Sequence, residues 1–427
     1  MFLRRFRFRP AACAAALLAA SAWSAEPLPL AEAQQLAVAR SSQLAANQAS
    51  TSAARRMAQA AGRLPDPVLK LGIDNLPLNG PDRFSLSRDF MTMRRIGVMQ
   101  ELPPMQKRQL RAQRATQDAS RLQAEAELLA ATVRRDAALA WIDRFYALAA
   151  RYLVLQQMDE SRLQVEAAEA AYRGARGSQA DVFAARAAVG LLEDKLSQLE
   201  RQSRNASVML ARWIGASDAE RLPAGTPQWQ TTELDPRVTR NHLESHPDVA
   251  VAAAAVHAAQ LDLSLAEANR RPDWSVEASY SQRGSAYSNM VSIGVSVPLQ
   301  LDRANRQDQE VAARQALVDE ALARYDDMLR RHEADIGIAL SDWRSGRQRV
   351  DRYSDSLLPL AQQRTDSVLA AYRGAKADLA AVLAARREQL ELRTQALAAE
   401  LETARAWAQL NFLAVEYEAP PATGSQP

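Results

Sequence analysis

The chain has 427 residues, with 53 lysines and arginines against 50 aspartates and glutamates, so its formal net charge is +3. Four arginines lie within the first nine residues, which leaves 49 basic against 50 acidic side chains in the remainder. This balance argues against a nucleic-acid-binding protein, because such proteins carry excess Lys and Arg to neutralise phosphates. With 15 glycines, 19 prolines and 6% aromatic residues, the composition is typical of long helices rather than of an α/β enzyme.

Residues 1–25 have the pattern of a secretory signal peptide, which is removed on export. Arginines precede a short apolar run, and small residues at 20–22 or 22–24 offer cleavage sites. The only cysteine, Cys13, lies inside the run, so we predict a mature chain without disulfides or thiolate metal sites. No later stretch reaches the 18 apolar residues expected of a transmembrane helix.

The sequence contains an internal repeat. Residues 170–176 (AAYRGAR) recur 200 positions later at 370–376 (AAYRGAK). Further matches follow them at the same offset and precede them with small gaps. We predict a duplication with repeat 1 at 26–216 and repeat 2 at 241–418. Residues 217–240 are predicted to be an irregular linker, and the polar, proline-rich residues 419–427 a disordered tail.

Each repeat begins with an alanine-rich helical stretch, at 31–61 and 248–269, followed by two segments in which apolar and polar residues alternate. A period of two predicts strands with one apolar and one polar face. The second strand of repeat 1 is less regular, because Arg94 and Arg95 are adjacent in it. The four strands are predicted near 67–75, 91–100, 273–282 and 290–298.

A long helical hairpin follows the strands in each repeat, at 105–215 and 303–417. Residues 108–172 contain neither proline nor glycine, which allows a continuous helix of roughly 100 Å. We predict a kink at Pro359 in the second hairpin. The hairpins reverse at tips near 172–178 and 372–378, where Gly174 and Gly374 are expected to permit the tight turn.

Four amphipathic strands cannot bury their apolar face and pair their edges alone. In a membrane every backbone polar group must be paired, which among sheets only a closed barrel achieves. Three chains would supply about twelve strands. We therefore predict a mainly α protein with a membrane β-barrel formed by a homotrimer. The alternative is a soluble helical protein with two small β-hairpins.

The duplicated plan of helix, two strands and long hairpin, with tip tyrosines Tyr172 and Tyr372, resembles the TolC-like outer membrane factors. Two segments, 100–108 (QELPPMQKR) and 297–306 (VPLQLDRANR), resemble signatures of their heavy-metal branch, the CzcC and CusC type, although Gln106 replaces a glycine and Ala304 interrupts the second segment. The positions that match the signatures are Gln100, Glu101, Pro103, Lys107, Arg108, Pro298, Asp302 and Arg303.

This resemblance implies a homotrimer with a 12-stranded barrel in the outer membrane and a periplasmic α-helical barrel. It implies outer membrane lipid around the barrel, a periplasmic adaptor (membrane fusion protein) and an inner-membrane pump of the resistance-nodulation-division type as partners. The exported substrate would be a heavy-metal cation. No catalytic residue and no cofactor are expected.

In the resembled family the hairpin tips contact the adaptor. The matching positions here are Arg173, Gly174, Ala175, Arg176, Gly374, Ala375 and Lys376. The short alanines would let a partner helix approach, and the cations could donate to partner carbonyls. The simpler interpretation is that these residues only form the turn.

The family's closed state is held at the tips by acidic and aromatic contacts. Here the acidic gate positions of the second hairpin are occupied by Ala381 and Ala384. The remaining gate candidates are Tyr172, Asp181 and Tyr372.

Other candidate sites are weaker. His242 and His246 have the spacing of a helical zinc motif, but Glu does not follow the first histidine and Pro247 follows the second, so a helix start or a surface polar cluster is favoured. Met91, Met93, Met99 and Met105 could bind Cu(I), although strand methionines more often face lipid or fill packing gaps.

The functional alternatives are a duct for organic drugs or for type I protein secretion and, in a different class, a periplasmic adaptor. An adaptor would carry one hairpin flanked by lipoyl-like and barrel segments. Two hairpins separated by 200 residues and four strands favour the duct.

Overall fold

The computed structural model describes residues 26–231 and 243–414, and about 70% of the chain is helical. The predicted signal peptide, His242, most of the second half of the linker and the predicted tail lie outside the described residues. The elements of repeat 1 are, in chain order, β1 (Leu28–Pro29), α1 (Leu30–Arg40), α2 (Ser42–Ala61), β2 (Val68–Asp74), β3 (Met93–Leu102), α3 (Met105–Arg173) and α4 (Gln179–Ile214).

The remaining described elements repeat this plan. They are α5 (Ala216–Ala219), β4 (Pro223–Ala224), α6 (Pro247–Ala268), β5 (Trp274–Gln282), β6 (Met290–Ser296), α7 (Gln307–Arg352), a π-helical turn (Tyr353–Leu357), α8 (Leu358–Arg373) and α9 (Leu379–Leu413).

The four long strands form one antiparallel sheet in the order β2-β3-β5-β6. The central pair joins the two repeats, with Ile96 opposite Tyr280. Strands β2 and β6 are the edges and pair on one side only within the chain. The sheet therefore ends in two unsatisfied edges, which a soluble protein would need to protect.

The structure adds detail to two helical predictions. The stretch 31–61 is two helices, because Ser41 is extended and its hydroxyl accepts from the backbone N–H of Leu44 as the N-cap of α2. In the second hairpin the irregularity precedes Pro359 as the π-helical turn. Proline has no N–H to donate, and the preceding backbone widens by one residue to accommodate it.

The linker is also more ordered than predicted. Its first part forms α5 and β4, and β4 pairs in parallel with β1. Three tryptophan indoles fix the packing around it: Trp141 donates to the carbonyl of Leu28 (2.9 Å), Trp229 to the hydroxyl of Tyr146 (3.1 Å) and Trp343 to the carbonyl of Trp229 (2.7 Å). The largest buried apolar cluster lies at this level, midway along the long helices.

One helix passes the length and composition test for a membrane span. Helix α6 has 22 residues and a mean hydropathy of 1.5, so the expectation that no later stretch is apolar enough is wrong by this measure. Its sequence combines valine and leucine with many alanines, whose small side chains also allow close helix packing. In the structure α6 packs against α3 and α7.

Candidate functional site

The sheet has two chemically different faces. Because side chains alternate along a strand, one face collects the odd-numbered residues of β2 and β6 and the even-numbered residues of β3 and β5. This face is apolar and exposed; Ile293 is 78% and Leu71 71% accessible. Its other large apolar members include Leu69, Ile73, Ile96, Val98, Tyr280, Val291 and Val295.

The opposite face is polar and carries a network of charges. The ammonium group of Lys70 lies 2.5 Å from a carboxylate oxygen of Glu277, and the guanidinium of Arg95 lies 3.3 Å from Asp74 and 3.9 Å from Glu277. Glu277 on β5 therefore holds cations from both strands of repeat 1. The period of two in the sequence is consistent with Lys70, Asp74 and Glu277 on one polar face. Their mutual pairing could not be predicted, because it depends on the register between the two repeats.

The adjacent arginines of β3 separate between these faces. Arg95 lies on the polar face and joins the charge network. Arg94 lies on the apolar face, opposite Ile73 and Gln282, and is exposed. The irregular pattern in the sequence thus reflects one arginine on each side of a genuine strand.

Signature residues connect the sheet to the long helices. Lys107, in the first turn of α3, is only 3% exposed, and its ammonium group donates to the carbonyl of Arg271 (2.6 Å) and to the carboxylate of Asp273 (2.7 Å). The Gln100 amide donates to the carbonyl of Pro65 (2.8 Å). The Gln100 bond connects β3 to the segment before β2. The Lys107 bonds connect the start of α3 in repeat 1 to the segment before β5 in repeat 2.

The remaining signature residues have local roles. The carboxylate of Asp302 accepts from Asn305 (2.9 Å), and the guanidinium of Arg303 pairs with Asp308 (3.4 Å). Arg108 donates to the sulfur of Met105 (3.1 Å). Pro103 is buried, whereas Glu101 and Pro298 are exposed. The described residues of this segment thus form a structural junction.

The two hairpin tips share one backbone conformation. The N–H of Arg176 donates to the carbonyl of Ala171 (2.9 Å), and the N–H of Lys376 donates to the carbonyl of Ala371 (2.8 Å). These bonds define a Schellman helix end. The residue in the left-handed region is Ala175 (φ 54°) in the first tip and Ala375 (φ 56°) in the second.

We expected Gly174 and Gly374 to adopt the left-handed conformation of the turn, and this expectation is wrong. Gly174 and Gly374 have φ of −84°, which any residue adopts. The left-handed position follows each glycine and is occupied by alanine, where an L-residue costs roughly 1–2 kcal/mol. Both tips thus retain an exposed methyl group at a position where glycine would be less strained.

The tip cations are available to a partner. Arg176 and Lys376 are exposed and form no ion pair with any other residue in 26–231 and 243–414. Arg173 lies 3.9 Å from Glu169, a carboxylate that Arg186 already binds at 2.7 Å. Surface cations without internal partners can bind an incoming acceptor without first breaking a pair.

The gate candidates differ in their surroundings. Asp181 accepts from the hydroxyl and the backbone N–H of Ser178 (2.7 and 2.9 Å), while the Ser178 hydroxyl accepts from the N–H of Asp181. This capping box begins α4, and the hydroxyl bond is the main cause that lowers the pKa of Asp181. Tyr172 is exposed, whereas Tyr372 packs on the apolar cluster beneath the tips.

Comparison with known proteins rests on structure alone, since no protein-family model and no curated protein matches the sequence. The structure of CusC superposes with a TM-score of 0.78 at 14% identity, covering 90% of this chain and 91% of that one. The outer-membrane channel OprN gives 0.76 at 18% identity, covering 90% and 89%. The open MtrE outer membrane channel of Neisseria gonorrhoeae gives 0.76 at 18% identity, covering 90% and 88%.

The chain has the fold of outer membrane channels. Because the match covers nine tenths of each chain, it extends over both repeats rather than over one helical hairpin. An adaptor with a single hairpin does not have this fold.

The two weaker sites of the sequence analysis have structural explanations within this channel fold. His246 is fully buried, so a surface polar cluster is wrong, but it does begin a helix: its Nδ1 accepts from the N–H of Asp248 (3.2 Å) as the N-cap of α6. No group of three His, Cys, Asp or Glu residues in 26–231 and 243–414 could hold a metal ion. Met93 and Met99 lie on the polar face beside Arg95 and not on the apolar face expected for lipid contact.

Proposed function

We propose that the chain is an outer membrane efflux channel, the passive exit duct of a tripartite export system. The observation that carries the proposal is the sheet: an exposed apolar face, a charged face behind it and two unpaired edges. Apolar-out and polar-in alternation is the pattern of transmembrane barrels. The likeness in fold to CusC, OprN and MtrE supports the same interpretation.

The dimensions of the sheet fit a membrane. Strand β5 has nine residues, roughly 30 Å of chain, which at a tilt of about 40° spans about 23 Å. Trp274 begins the outward face of β5 and Tyr280 lies near its other end, both exposed. Aromatic side chains at the two borders of an apolar band are typical of outer membrane barrels.

Closure requires more copies of the chain. Four strands are too few for a barrel, and pairing β6 of one copy with β2 of the next satisfies both edges. Three copies give twelve strands, and the long helices beneath would form a second barrel of roughly 100 Å in the periplasm. The domain boundaries predicted from the repeat, 26–216 and 241–418, correspond in this proposal to two quasi-equivalent units per copy.

The proposal includes a pump and an adaptor. A passive duct needs no catalytic residue, so energy and substrate choice reside in an inner-membrane pump of the resistance-nodulation-division type. The adaptor would bind the tips, where Ala175 and Ala375 leave room and Arg176 and Lys376 are free to donate.

Tyr172 would line the tip opening. Because Asp181 is already bound in its capping box, its role in a gate would require that box to open.

We further propose heavy-metal cations as the substrate class. The support is the pair of signature segments that contain Lys107 and Asp302. Lys107 also binds the segment before β5 at the junction below the sheet. The first signature segment therefore has a structural role as well. An organic-drug or protein-secretion duct is the competing outcome, and the fold likeness does not distinguish them.

A deletion strain tests the substrate class. Growth is measured against copper, silver, zinc, cadmium and cobalt salts, and against dyes and antibiotics. We expect selective metal sensitivity, restored by the intact gene but not by a double variant Arg176→Glu/Lys376→Glu that still reaches the outer membrane. Sensitivity to drugs alone would contradict the metal assignment and leave the duct.

A second experiment tests the duct. Outer-membrane fractions are run unheated on a denaturing gel, where we expect a heat-labile band at three times the chain mass. A monomer in the soluble or inner-membrane fraction would contradict the proposal.

A further inference from the structure

Arg94 occupies an unusual position on the apolar face of the sheet. It is the second residue of β3, at the end of the sheet farthest from the long helices, and its side chain is exposed. Its neighbours on the same face are Ile73 directly opposite, Gln282 on the other side and Ile96 two residues along the strand. Among the described residues it has no ion-pair partner, whereas Arg95 beside it has two.

Assembly of further copies would leave Arg94 uncovered. Strand β3 is central in the sheet, between β2 and β5, so edge-to-edge pairing of copies occurs at other strands. A charged guanidinium at the border of an apolar band is costly unless it reaches a polar partner. The long Arg side chain can extend past the band to the level of lipid headgroups.

The loops at this end of the sheet add cations and exposed apolar groups. The loops 75–92 and 283–289 contain Arg83, Arg88 and Arg283 against two aspartates. One aspartate, Asp82, pairs with Arg88 at 3.5 Å, and the other, Asp89, accepts two backbone N–H groups. The surface around Arg94 is therefore positive and has few free carboxylates.

Aromatic side chains hold two of these cations. The guanidinium of Arg83 lies 4.7 Å from the ring centre of Phe84, and that of Arg283 lies 5.0 Å from that of Tyr287. The hydroxyl of Tyr280 accepts from Asn289 in the loop (2.7 Å), which turns the polar end of this outward-facing ring toward the loops. Rings with their polar end away from the apolar band are arranged as at a membrane–water border.

We propose that Arg94 is the centre of a binding site for a phosphate group of the glycolipid in the outer leaflet. The ligand must combine an anionic head with acyl chains, because the cation lies beside Ile73 and next to Ile96 on the apolar face. A guanidinium forms paired hydrogen bonds with phosphate oxygens. Arg83, which has no ion-pair partner among the described residues, supplies additional positive charge at this end of the sheet. The inference rests on the proposed membrane barrel.

The site is tested with the full mature chain in phosphatidylcholine nanodiscs that also contain lipid A. Bound lipid is counted by native mass spectrometry for diphosphoryl lipid A and for its dephosphorylated form. A third arm adds inorganic phosphate to distinguish a lipid-borne phosphate from the free ion. We expect preference for the diphosphoryl form that millimolar phosphate does not displace.

Variants assign this preference to the residue. Loss of one charge-assisted contact should weaken lipid A binding about tenfold in Arg94→Gln, with a smaller loss in Arg94→Lys, which keeps the charge. Arg201→Gln, an exposed arginine on α4, is the matched control and should bind as the parent chain does.

The possible failures can be told apart. Equal binding by the parent chain and Arg94→Gln, equal binding of both lipid A forms, or displacement by inorganic phosphate would each overturn the lipid site. The same nanodiscs are checked for a trimer that conducts ions. A chain that does not enter the bilayer would contradict the proposed duct, whereas a conducting trimer without phosphate preference contradicts only the site at Arg94.

Discussion

The two ends of the molecule present opposite surfaces. At the sheet, large apolar side chains such as Ile293 are exposed while Lys70, Arg95 and Glu277 pair behind them. At the tips, arginine, lysine, alanine and Tyr172 are exposed above a small buried apolar cluster that includes Val182 and Val382. One end therefore exposes a nonpolar surface and the other a largely polar, cationic one.

Different interactions stabilise the two ends. The sheet end depends on cross-strand pairs between the repeats, and its two edges and its apolar face are left uncovered within one chain. The tip end is complete within one chain, since Ser178 caps α4 and Asp378 accepts from the N–H of Ala381 to cap α9. Changes of similar chemistry should consequently have different effects at the two ends.

The largest contrast is expected for an added charge. Ile293→Arg places a guanidinium at the middle of the outward face and should cost about 2–4 kcal/mol per copy of membrane stability, with loss of the trimer from outer-membrane fractions. Ala380→Arg, in the exposed first turn of α9, should cost less than about 1 kcal/mol. An equal loss of stability in the two variants would contradict the proposed difference between the two ends.

A smaller effect is expected from the charge network on the polar face. Glu277→Gln leaves Lys70 and Arg95 without their shared carboxylate, so the barrel should favour anions by about fivefold, on the order of 1 kcal/mol. The readout is the reversal potential in a planar bilayer under a KCl gradient. The double variant Lys70→Gln/Glu277→Gln removes a cation as well and should return the potential toward the parent value; an unchanged potential in Glu277→Gln would show that this face does not line the pore.

At the tips, the left-handed alanines allow a stability test. Ala175→Gly and Ala375→Gly should each stabilise the local turn by up to about 1 kcal/mol, because glycine adopts positive φ without the alanine penalty. Amide hydrogen exchange at residues 171–178 and 371–378 measures the change. Gly190→Ala, in the interior of α4 where no atom lies near the added methyl, is a helix control that should not alter exchange at either tip, whereas faster exchange in Ala175→Gly would contradict the assigned conformation.

The smallest effect concerns pH at the first tip. The pKa of Asp181 is lowered by its bond to the Ser178 hydroxyl, so the cap stabilises the folded tip above the unfolded-state pKa of about 4 and loses this contribution as pH falls through the lower folded value. Protection factors at the start of α4, which divide out the intrinsic pH dependence of amide exchange, should fall below about pH 4 in the parent chain. Asp181→Asn should abolish that dependence; an identical pH response in this variant would contradict the assignment.

Much of the fold could be predicted from local patterns. Alternation located β5 from Trp274, Val276, Ala278 and Tyr280, because a strand with one apolar face shows a period of two. The hairpins followed from the long stretches without glycine or proline. The likeness of the whole chain to outer membrane channels agrees with this plan.

Other features depended on contacts distant in sequence. The pairing of Lys70 with Glu277 joins residues 207 positions apart, and Lys107 reaches Asp273 across 166, so no local pattern indicates either. The order in residues 216–231 depends on tryptophans in other helices. The tip glycines were misassigned because glycine is the usual residue in a left-handed turn, whereas this chain places alanine there.

The central claim is that the apolar face of the sheet contacts lipid and the polar face contacts water. The only cysteine of the sequence is Cys13, so a Cys13→Ser background allows single cysteines at Ser292 and Ile293, adjacent in β6 on opposite faces. Isolated outer membranes are treated with a water-soluble maleimide, before and after detergent. The account predicts labelling of Ser292→Cys in the membrane and of Ile293→Cys only in the presence of detergent. Rapid labelling of Ile293→Cys in the intact membrane would contradict it.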